Sequence, residues 1–368
     1  MKIALVHDYI KEYGGAERVL EEFIKIYPDA DIYTSVYLPE YLGPHKKRFE
    51  KLKIHTSFLQ YIPFSAKLIS PLRLLAPLAF KSFNLSSYDV ILVSQTGAYF
   101  PNLVQKGEAK LICYTHTPPR YLYGYMTARD WKSNVFKRVI GNLMNHFLRI
   151  VDYHASQNVD QFIANSNEVA GRIKKFYRKE AIVVYPPVQA HEAMPRNANS
   201  KRDYLTGGRL AQAKGTDIII DAFLKNGQTL KVFGKGFAGF EEKLLARIKN
   251  KKTNIEFLGE VSDEEKLKLM EDAKAFVFAA FDEDFGITPV EAMGKGTPVI
   301  AFKSGGVLET VIDSKTGLFY EPNTPNELNK AIEKFEKLKI NSSDCQKQAL
   351  KFSPKVFDQK IKEIVGNA

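Results

Sequence analysis

Two periodicities alternate along this chain. Apolar runs of four or five residues appear at Ile3–Val6, Val90–Ser94, Leu111–Thr115, Gln161–Ala164 and Ile182–Tyr185. Continuous runs of this kind suit strands buried on both faces of a parallel sheet. After the first run, Val19, Leu20, Phe23, Ile24 and Tyr27 recur at helical spacing. Strands alternating with helices predict a parallel sheet with right-handed crossovers. Pro186-Pro187 halts the series, and residues 189–202 are polar and poor in large apolar side chains, which marks a domain boundary.

A second series follows. Its predicted strands are Tyr204–Thr206, Leu230–Phe233, Ile255–Leu258, Phe276–Ala279, Val299–Ala301 and Leu318–Tyr320, and its helices Thr216–Leu224, Glu241–Ile248, Val307–Ile312 and Asn326–Leu338. Ser262 with Glu265 forms a capping box ahead of Lys266–Met270. A last helix runs from Pro354 through Ile364. The fold class is α/β, with two doubly wound domains joined by a linker.

The stretch Phe276–Pro298 draws these elements to a point. A buried strand feeds an acidic, glycine-containing loop, and Thr288-Pro289-Val290-Glu291 reads as a helix start. Thr288 is expected as N-cap, Pro289 as first helical residue and Glu291 as the capping-box partner. The unpaired N–H groups of such a turn favour an anionic ligand. Glu283 and Glu291 bracket it.

Composition narrows the class. A chain of 368 residues that is 45% hydrophobic is too long for one ordinary core and too apolar to be disordered. No apolar run is long enough to span a membrane, and the opening run is too short for a signal peptide. Two cysteines, Cys113 and Cys345, suit a reducing compartment and cannot build a metal cluster alone. A cytoplasmic protein is expected.

The net charge is +11, with 26 basic against 17 acidic residues in positions 1–199. Between Glu50 and Asp89 no acidic residue occurs, while Lys51, Lys53, Lys67, Arg73 and Lys81 interleave with apolar and aromatic side chains. Segment 51–81 therefore suits an anionic membrane surface, or else a core helix pair with a solvated basic face. No nucleic-acid motif accompanies the charge, and nucleic acid is not an expected partner.

Three further features carry chemistry. Gly14-Gly15 lies at the first strand-to-helix turn, where glycine permits close approach of a ligand or simply a tight turn. His116 follows a strand, at the sheet edge where open α/β folds bind ligands. Arg209 and Lys214 share a loop after a strand; the planar fork of arginine and the point charge of lysine could hold a pyrophosphate. Neither this loop nor Gly234-Lys235-Gly236 is a P-loop. Asp282-Glu283-Asp284 matches, by letters, the acidic pairs that hold a divalent cation in single-sheet glycosyltransferases.

Taken in order, Gly14-Gly15, His116 in the HTP segment, Gly208-Arg209 with Lys214-Gly215, and Glu283-Asp284-Phe285-Gly286 with Glu291-Ala292 resemble the retaining GT-B glycosyltransferases. That large family includes phosphatidylinositol and O-antigen mannosyltransferases, and the resemblance spans nearly the whole chain. It implies two Rossmann-like domains facing across a cleft: residues 1–188 as acceptor domain, 189–202 as linker, 203–345 as nucleotide-sugar domain, and 346–368 carrying a helix back to the first domain. It implies Arg209 and Lys214 on the donor diphosphate and Glu291 on the ribose. Glu283 and the backbone of Phe285, Gly286, Ile287 and Thr288 would hold the sugar. Lys235, Gly259 and Val261 would lie near the base, and Gly14 and Gly15 near the phosphates. His116 would contact the sugar, and His116 and Glu283 are the catalytic candidates. The expected reaction moves a hexose, mannose from GDP-mannose, to a glycan or lipid-linked acceptor, with retention, without a metal or other cofactor. The alternatives are a UDP-sugar enzyme, a sugar-nucleotide epimerase, or a membrane-associated scaffold with a vestigial site.

Overall fold

The computed structural model describes residues 1–127, 135–189 and 203–367, with the side chains of 135–137 left aside. These divide into two compact units, each described by itself: residues 1–125, 135–187 and 354–367 form the first, and most of 188–353 the second. The expected linker lies, apart from Gln189, outside the described residues.

The first unit is a seven-stranded parallel sheet in the order β3-β2-β1-β4-β5-β6-β7. Its strands are β1 (Ile3–His7), β2 (Asp31–Thr34), β3 (Ile54–Thr56), β4 (Val90–Gln95), β5 (Lys110–Thr115), β6 (Gln161–Ala164) and β7 (Ala181–Val183). Its helices are α1 (Gly15–Ile26), α2 (Ser65–Leu72), α3 (Ala76–Lys81), α4 (Val135–Gln157) and α5 (Asn167–Tyr177). Side chains alternate across the central strand: Ala4 and Val6 join one buried layer, Ile3 and Leu5 the other. The strands β2 and β3 are not among the expected elements, and β7 ends before Tyr185.

The second unit is a six-stranded parallel sheet in the order β10-β9-β8-β11-β12-β13. It comprises β8 (Tyr204–Gly207), β9 (Leu230–Phe233), β10 (Ile255–Gly259), β11 (Phe276–Phe278), β12 (Val299–Phe302) and β13 (Gly317–Tyr320). Helices α6 (Thr216–Asn226), α7 (Phe240–Ile248), α8 (Asp263–Asp272), α9 (Ile287–Gly294), α10 (Val307–Thr310), α11 (Pro325–Glu336) and α12 (Ser342–Leu350) accompany it. The Ser262/Glu265 capping box of α8 is present.

Residue 345 falls inside α12, so the second unit runs to Ser353 and the tail begins at Pro354, the start of α13 (Pro354–Gly366). This helix belongs to the first unit. Phe357 stacks on Phe23 of α1 with ring centroids 5.6 Å apart, and Ile361 and Val365 share the same buried layer. Burying such side chains is worth roughly 1.5–3 kcal/mol each, which holds the tail on α1.

In both sheets the strand order reverses beside the first strand, between β1 and β4 and between β8 and β11. The crevice at the carboxyl ends of such strands is where doubly wound sheets bind ligands. Every candidate loop leaves from one of these ends.

Candidate active site

In the first unit, β1 and β4 pair with His7 opposite Ser94, and His116 follows β5 with its backbone N–H bonded to Gln95 O at 2.9 Å. The side chains form a row. His7 Nδ1 is 3.1 Å from Ser94 Oγ, and Ser94 Oγ is 3.0 Å from His116 Nε2. On the other side of the His7 ring, Nε2 lies 3.7 Å from Glu17 Oε1, a charge contact and not a hydrogen bond. His7, Ser94 and Glu17 are buried, and His116 is half-buried.

Glu17 has a second duty. Its Oε2 accepts the Gly14 N–H at 2.8 Å, closing the start of α1 behind the glycine pair. Burial pushes its carboxyl up, but His7 and the Gly14 and Glu17 N–H groups more than offset this and hold it below the usual value. Next along, buried Asp8 accepts the backbone N–H groups of Thr96, Ala98 and Tyr99 at 3.2, 3.0 and 3.2 Å and the Thr96 hydroxyl, which anchors the loop after β4. Burial raises its carboxyl. Buried Arg172 of α5 donates to Thr117 Oγ1 at 3.1 Å and pairs with Glu168 at 3.0 Å, fixing the residue after His116.

In the second unit, the loops after β8, β9, β10 and β11 meet. A side-chain carbon on Gly234 would lie 1.8 Å from Gly208 O, and Gly234 N–H donates to Gly259 O at 2.7 Å. No other residue fits at Gly234. Gly208 itself, at φ +119, faces Thr288, whose Oγ1 would be 3.8 Å from an added carbon. The Arg209 guanidinium lies 5.6 Å from the Phe237 ring centroid. The structure thus brings Gly208 to Thr288 and Lys214 to Glu283, with the Arg209 side chain beside Phe237 and Lys235, Gly259 and Val261 at the neighbouring strand ends. Lys235 pairs with Glu260 at 3.2 Å in solvent.

Two expectations for the central stretch are corrected. Gly286, at φ +88, is the N-cap of α9, without a side-chain cap. Thr288 is already the second helical residue, because glycine can take the left-handed turn that ends the loop. Glu291 does not close a capping box: its Oε1 bonds to Lys266 Nζ of α8 at 2.8 Å, and both groups are largely buried. Glu283 Oε2 accepts from Lys214 Nζ at 2.7 Å. The side chain of Phe285 is core, edge-on to Phe352 at 5.4 Å, and leaves only its backbone for a ligand.

The acidic loop is clamped from β12. Gly306 N–H donates to Glu283 O at 2.7 Å, and a carbon on Gly306 would lie 2.4 Å from Asp284 O. Sequence reasoning missed this glycine pair, Lys266, and the Glu17–His7–Ser94 row. The signals were there in His7-Asp8 at the end of the first strand and in Gly305-Gly306 two residues beyond the twelfth.

Comparison with known proteins fits this geometry. Residues 187–352 match the model "Glycosyl transferases group 1", and residues 13–192 match "Glycosyltransferase Family 4". The chain belongs to the GT-B glycosyltransferases. It is 27% identical to the α-1,3/1,6-mannosyltransferase ALG2 of Dictyostelium discoideum, over 99% of this chain and 98% of that one. It is 31% identical to the mouse ALG2, over 67% and 65%. Among solved structures it resembles the sucrose-phosphate synthase of Thermosynechococcus elongatus (TM-score 0.73, 18% identity, 100% and 99% of the chains). It also resembles HepE of Anabaena in complex with UDP and glucose (0.70, 20%, both chains in full). These two likenesses speak for the fold.

Proposed function

We propose that the protein transfers mannose from GDP-mannose to a glycan or lipid-linked acceptor, retaining the anomeric configuration and needing no metal. The observation that carries this reading is the Lys214–Glu283 contact, which joins the loop that carries Arg209 and Lys214 to the loop ahead of α9, in a chain alike over its whole length to an α-1,3/1,6-mannosyltransferase. Arg209, Lys214 and the helix end would stabilise the departing diphosphate, the main catalytic term where no nucleophile is supplied. Glu283 would accept from sugar hydroxyls, and Glu291 from the ribose. Lys235, Gly259 and Val261 would border the base, Gly14 and Gly15 the phosphates, and His116 the sugar. The carboxylate of Glu283 is neutralised by Lys214, which favours hydroxyl recognition over cation binding at the acidic triplet. A thermal-shift screen against GDP- and UDP-sugars, with and without chelator, tests the reading. Stabilisation by UDP-sugars alone would move the assignment to the UDP-dependent alternative.

A second reading concerns the partner surface. Tyr61, Phe64 and Leu78 are 83, 74 and 60% exposed beside Lys67 and Lys81. In the same unit, Val139, Ile140, Leu143, Phe147 and Ile150 form an exposed stripe on α4. The acidic residue of α4, Asp152, is buried. Apolar side chains rimmed by uncompensated cations fit an anionic bilayer, and no helix among the described residues is long and apolar enough to cross one. We read the protein as a peripheral enzyme on the cytoplasmic face of the plasma membrane, a compartment that suits two buried cysteines outside any disulfide.

A further inference from the structure

Helix α2 is held at the carboxyl edge of the first sheet by the chain that leaves its strands. Lys11 Nζ, in the loop after β1, donates to Ala66 O at 2.6 Å, and the Tyr99 hydroxyl, beyond β4, donates to Ile69 O at 2.8 Å. At the helix end Leu74 N–H turns back to Pro71 O, and Ser70 O accepts the Arg73 Nε–H at 2.6 Å. The same guanidinium lies 4.1 Å from the ring centroid of Tyr121, beyond β5. Its charge reaches two hydroxyls: burial raises both Tyr99 and Tyr121, and Arg73 pulls each back. Arg73 is half-buried and has no ion-pair partner among the described residues; the chain carries no acidic residue from 51 to 88. Asp8, the buried carboxylate of this edge, is occupied by Thr96, Ala98 and Tyr99. Lys11 is likewise half-buried without an ion-pair partner among the described residues, its ammonium 5.2 Å from the Tyr41 ring centroid. Ala66 and Ser70 stand one helical turn apart, so the two cations rest on carbonyls about 6 Å from each other along α2.

Drawing a cation partly out of water without a counter-ion costs free energy that an anionic ligand returns. With Nε spent on Ser70, Arg73 keeps Nη1 and Nη2, a fork that fits two phosphate oxygens, and Lys11 adds a point charge. We propose that Arg73 and Lys11 form an anion subsite for the diphosphate that joins an acceptor glycan to its lipid. A diphosphate diester carries two negative charges, one for each cation, whereas a neutral acceptor would leave both uncompensated. The subsite lies on the sheet edge that carries His116, and the exposed apolar side chains of α2 and α3, Leu68 and Leu78, would border the hydrocarbon. The assignment of the diphosphate to an acceptor rests on the reading of a lipid-linked acceptor; the anion subsite itself does not.

The test is equilibrium binding of farnesyl diphosphate, below its micellar concentration, to the whole protein without donor or membranes, beside farnesol and inorganic pyrophosphate. The wild type is expected to bind farnesyl diphosphate more tightly than either companion. Arg73→Gln and Lys11→Gln should each weaken that binding about tenfold or more, the scale of a hydrogen bond to a charged group, while Arg209→Ala leaves it unchanged. Wild-type affinity in Arg73→Gln, or loss in Arg209→Ala alone, would overturn the subsite. Pyrophosphate held as tightly as the farnesyl ester would make this a site for the free anion and overturn the lipid assignment. Should Arg73→Gln fail to fold by circular dichroism, Arg73→Lys, which keeps the charge and loses the fork, should still weaken binding; unchanged affinity there would again overturn it. A loss confined to anionic vesicles, with the soluble probe bound normally, would assign these cations to the bilayer and contradict the proposal. None of these readouts involves sugar transfer, so failure of the GDP-mannose assay would leave the binding result standing. In a transfer assay with a lipid-linked acceptor, Arg73→Gln should raise KM for the acceptor and not for the donor.

Discussion

Lys214 Nζ donates to Glu283 Oε2 at 2.7 Å, joining the loop after β8 to the loop after β11. The lysine is 36% exposed and the glutamate 14%, so the pair keeps contact with water. A half-exposed ion pair of this kind is worth about 0–1 kcal/mol to the fold. Glu283→Gln is accordingly expected to leave the unfolding midpoint within a few degrees of the wild type. Turnover should fall by about a hundredfold, as when a charged ligand-contacting group is removed. Paired thermal melts and transfer assays separate the two effects. A large loss of stability with activity retained would make the pair a structural device only.

The Lys266–Glu291 pair behaves differently, because both side chains are nearly withdrawn from water. Removing the lysine takes the ion-pair partner from a buried carboxylate, at a cost of about 3 kcal/mol or more. Lys266→Met should therefore lower the urea midpoint of the second unit clearly, and adding Glu291→Gln should recover part of the loss. Equal midpoints for wild type and Lys266→Met would show that Glu291 is satisfied without the lysine.

Asp152 sets a pH dependence in the first unit. It accepts from Tyr123 and Tyr177 at 2.7 and 3.2 Å. Burial pushes its carboxyl up to about 7 from an ordinary 3.8, against the pull of those hydrogen bonds. The folded protein holds a proton that the unfolded chain has released across that window. Stability from this group is full below the unfolded value and falls as pH rises towards 7, with a limiting slope of about 1.4 kcal/mol per unit. Asp152→Asn should flatten the change in urea midpoint between pH 5 and 8. Identical slopes for the two proteins would remove Asp152 as the cause.

The surface proposed to meet an anionic bilayer is open to a vesicle test. Wild-type protein should sediment with vesicles containing phosphatidylglycerol and release at high salt. Lys67→Glu should weaken binding about fivefold or more, given roughly 1 kcal/mol per basic residue. Leu143→Ser with Phe147→Ser should weaken it at every salt concentration. Arg73 is a poor probe, because its guanidinium lies 4.1 Å from the Tyr121 ring centroid. Binding unaffected by either change would exclude this face.

What could be read in the sequence follows burial. Strands enclosed on both faces, such as β1 and β4, are apolar up to their last one or two residues and show plainly. The strand β2 is buried on one side only, and β3 is a three-residue edge with no buried position. Neither leaves a run long enough to see. Helix α12 was missed because SSDCQKQAL presents small and polar residues to the core: Cys345, Gln346, Gln348 and Ala349 are its buried positions. Among site residues, charge in a loop was legible at Arg209, Lys214 and Glu283. The partners of those charges were not, because Lys214 and Glu283 stand 69 positions apart, and Lys266 and Glu291 meet only once α8 packs beside α9. Thr288 misled because its pattern with Pro289 and Glu291 imitates a cap that Gly286 supplies.

The most direct measurement of the central claim is mannosyl transfer, or donor hydrolysis, with GDP-mannose in the presence of chelator, for the wild type and Arg209→Ala. The wild type is expected to turn over GDP-mannose at the same rate with and without chelator and to prefer it to UDP-sugars. Arg209→Ala should fold normally and lose activity by about two orders of magnitude or more. Activity abolished by chelator, or near-normal turnover in Arg209→Ala, would contradict a metal-free reaction driven by charge at the departing diphosphate.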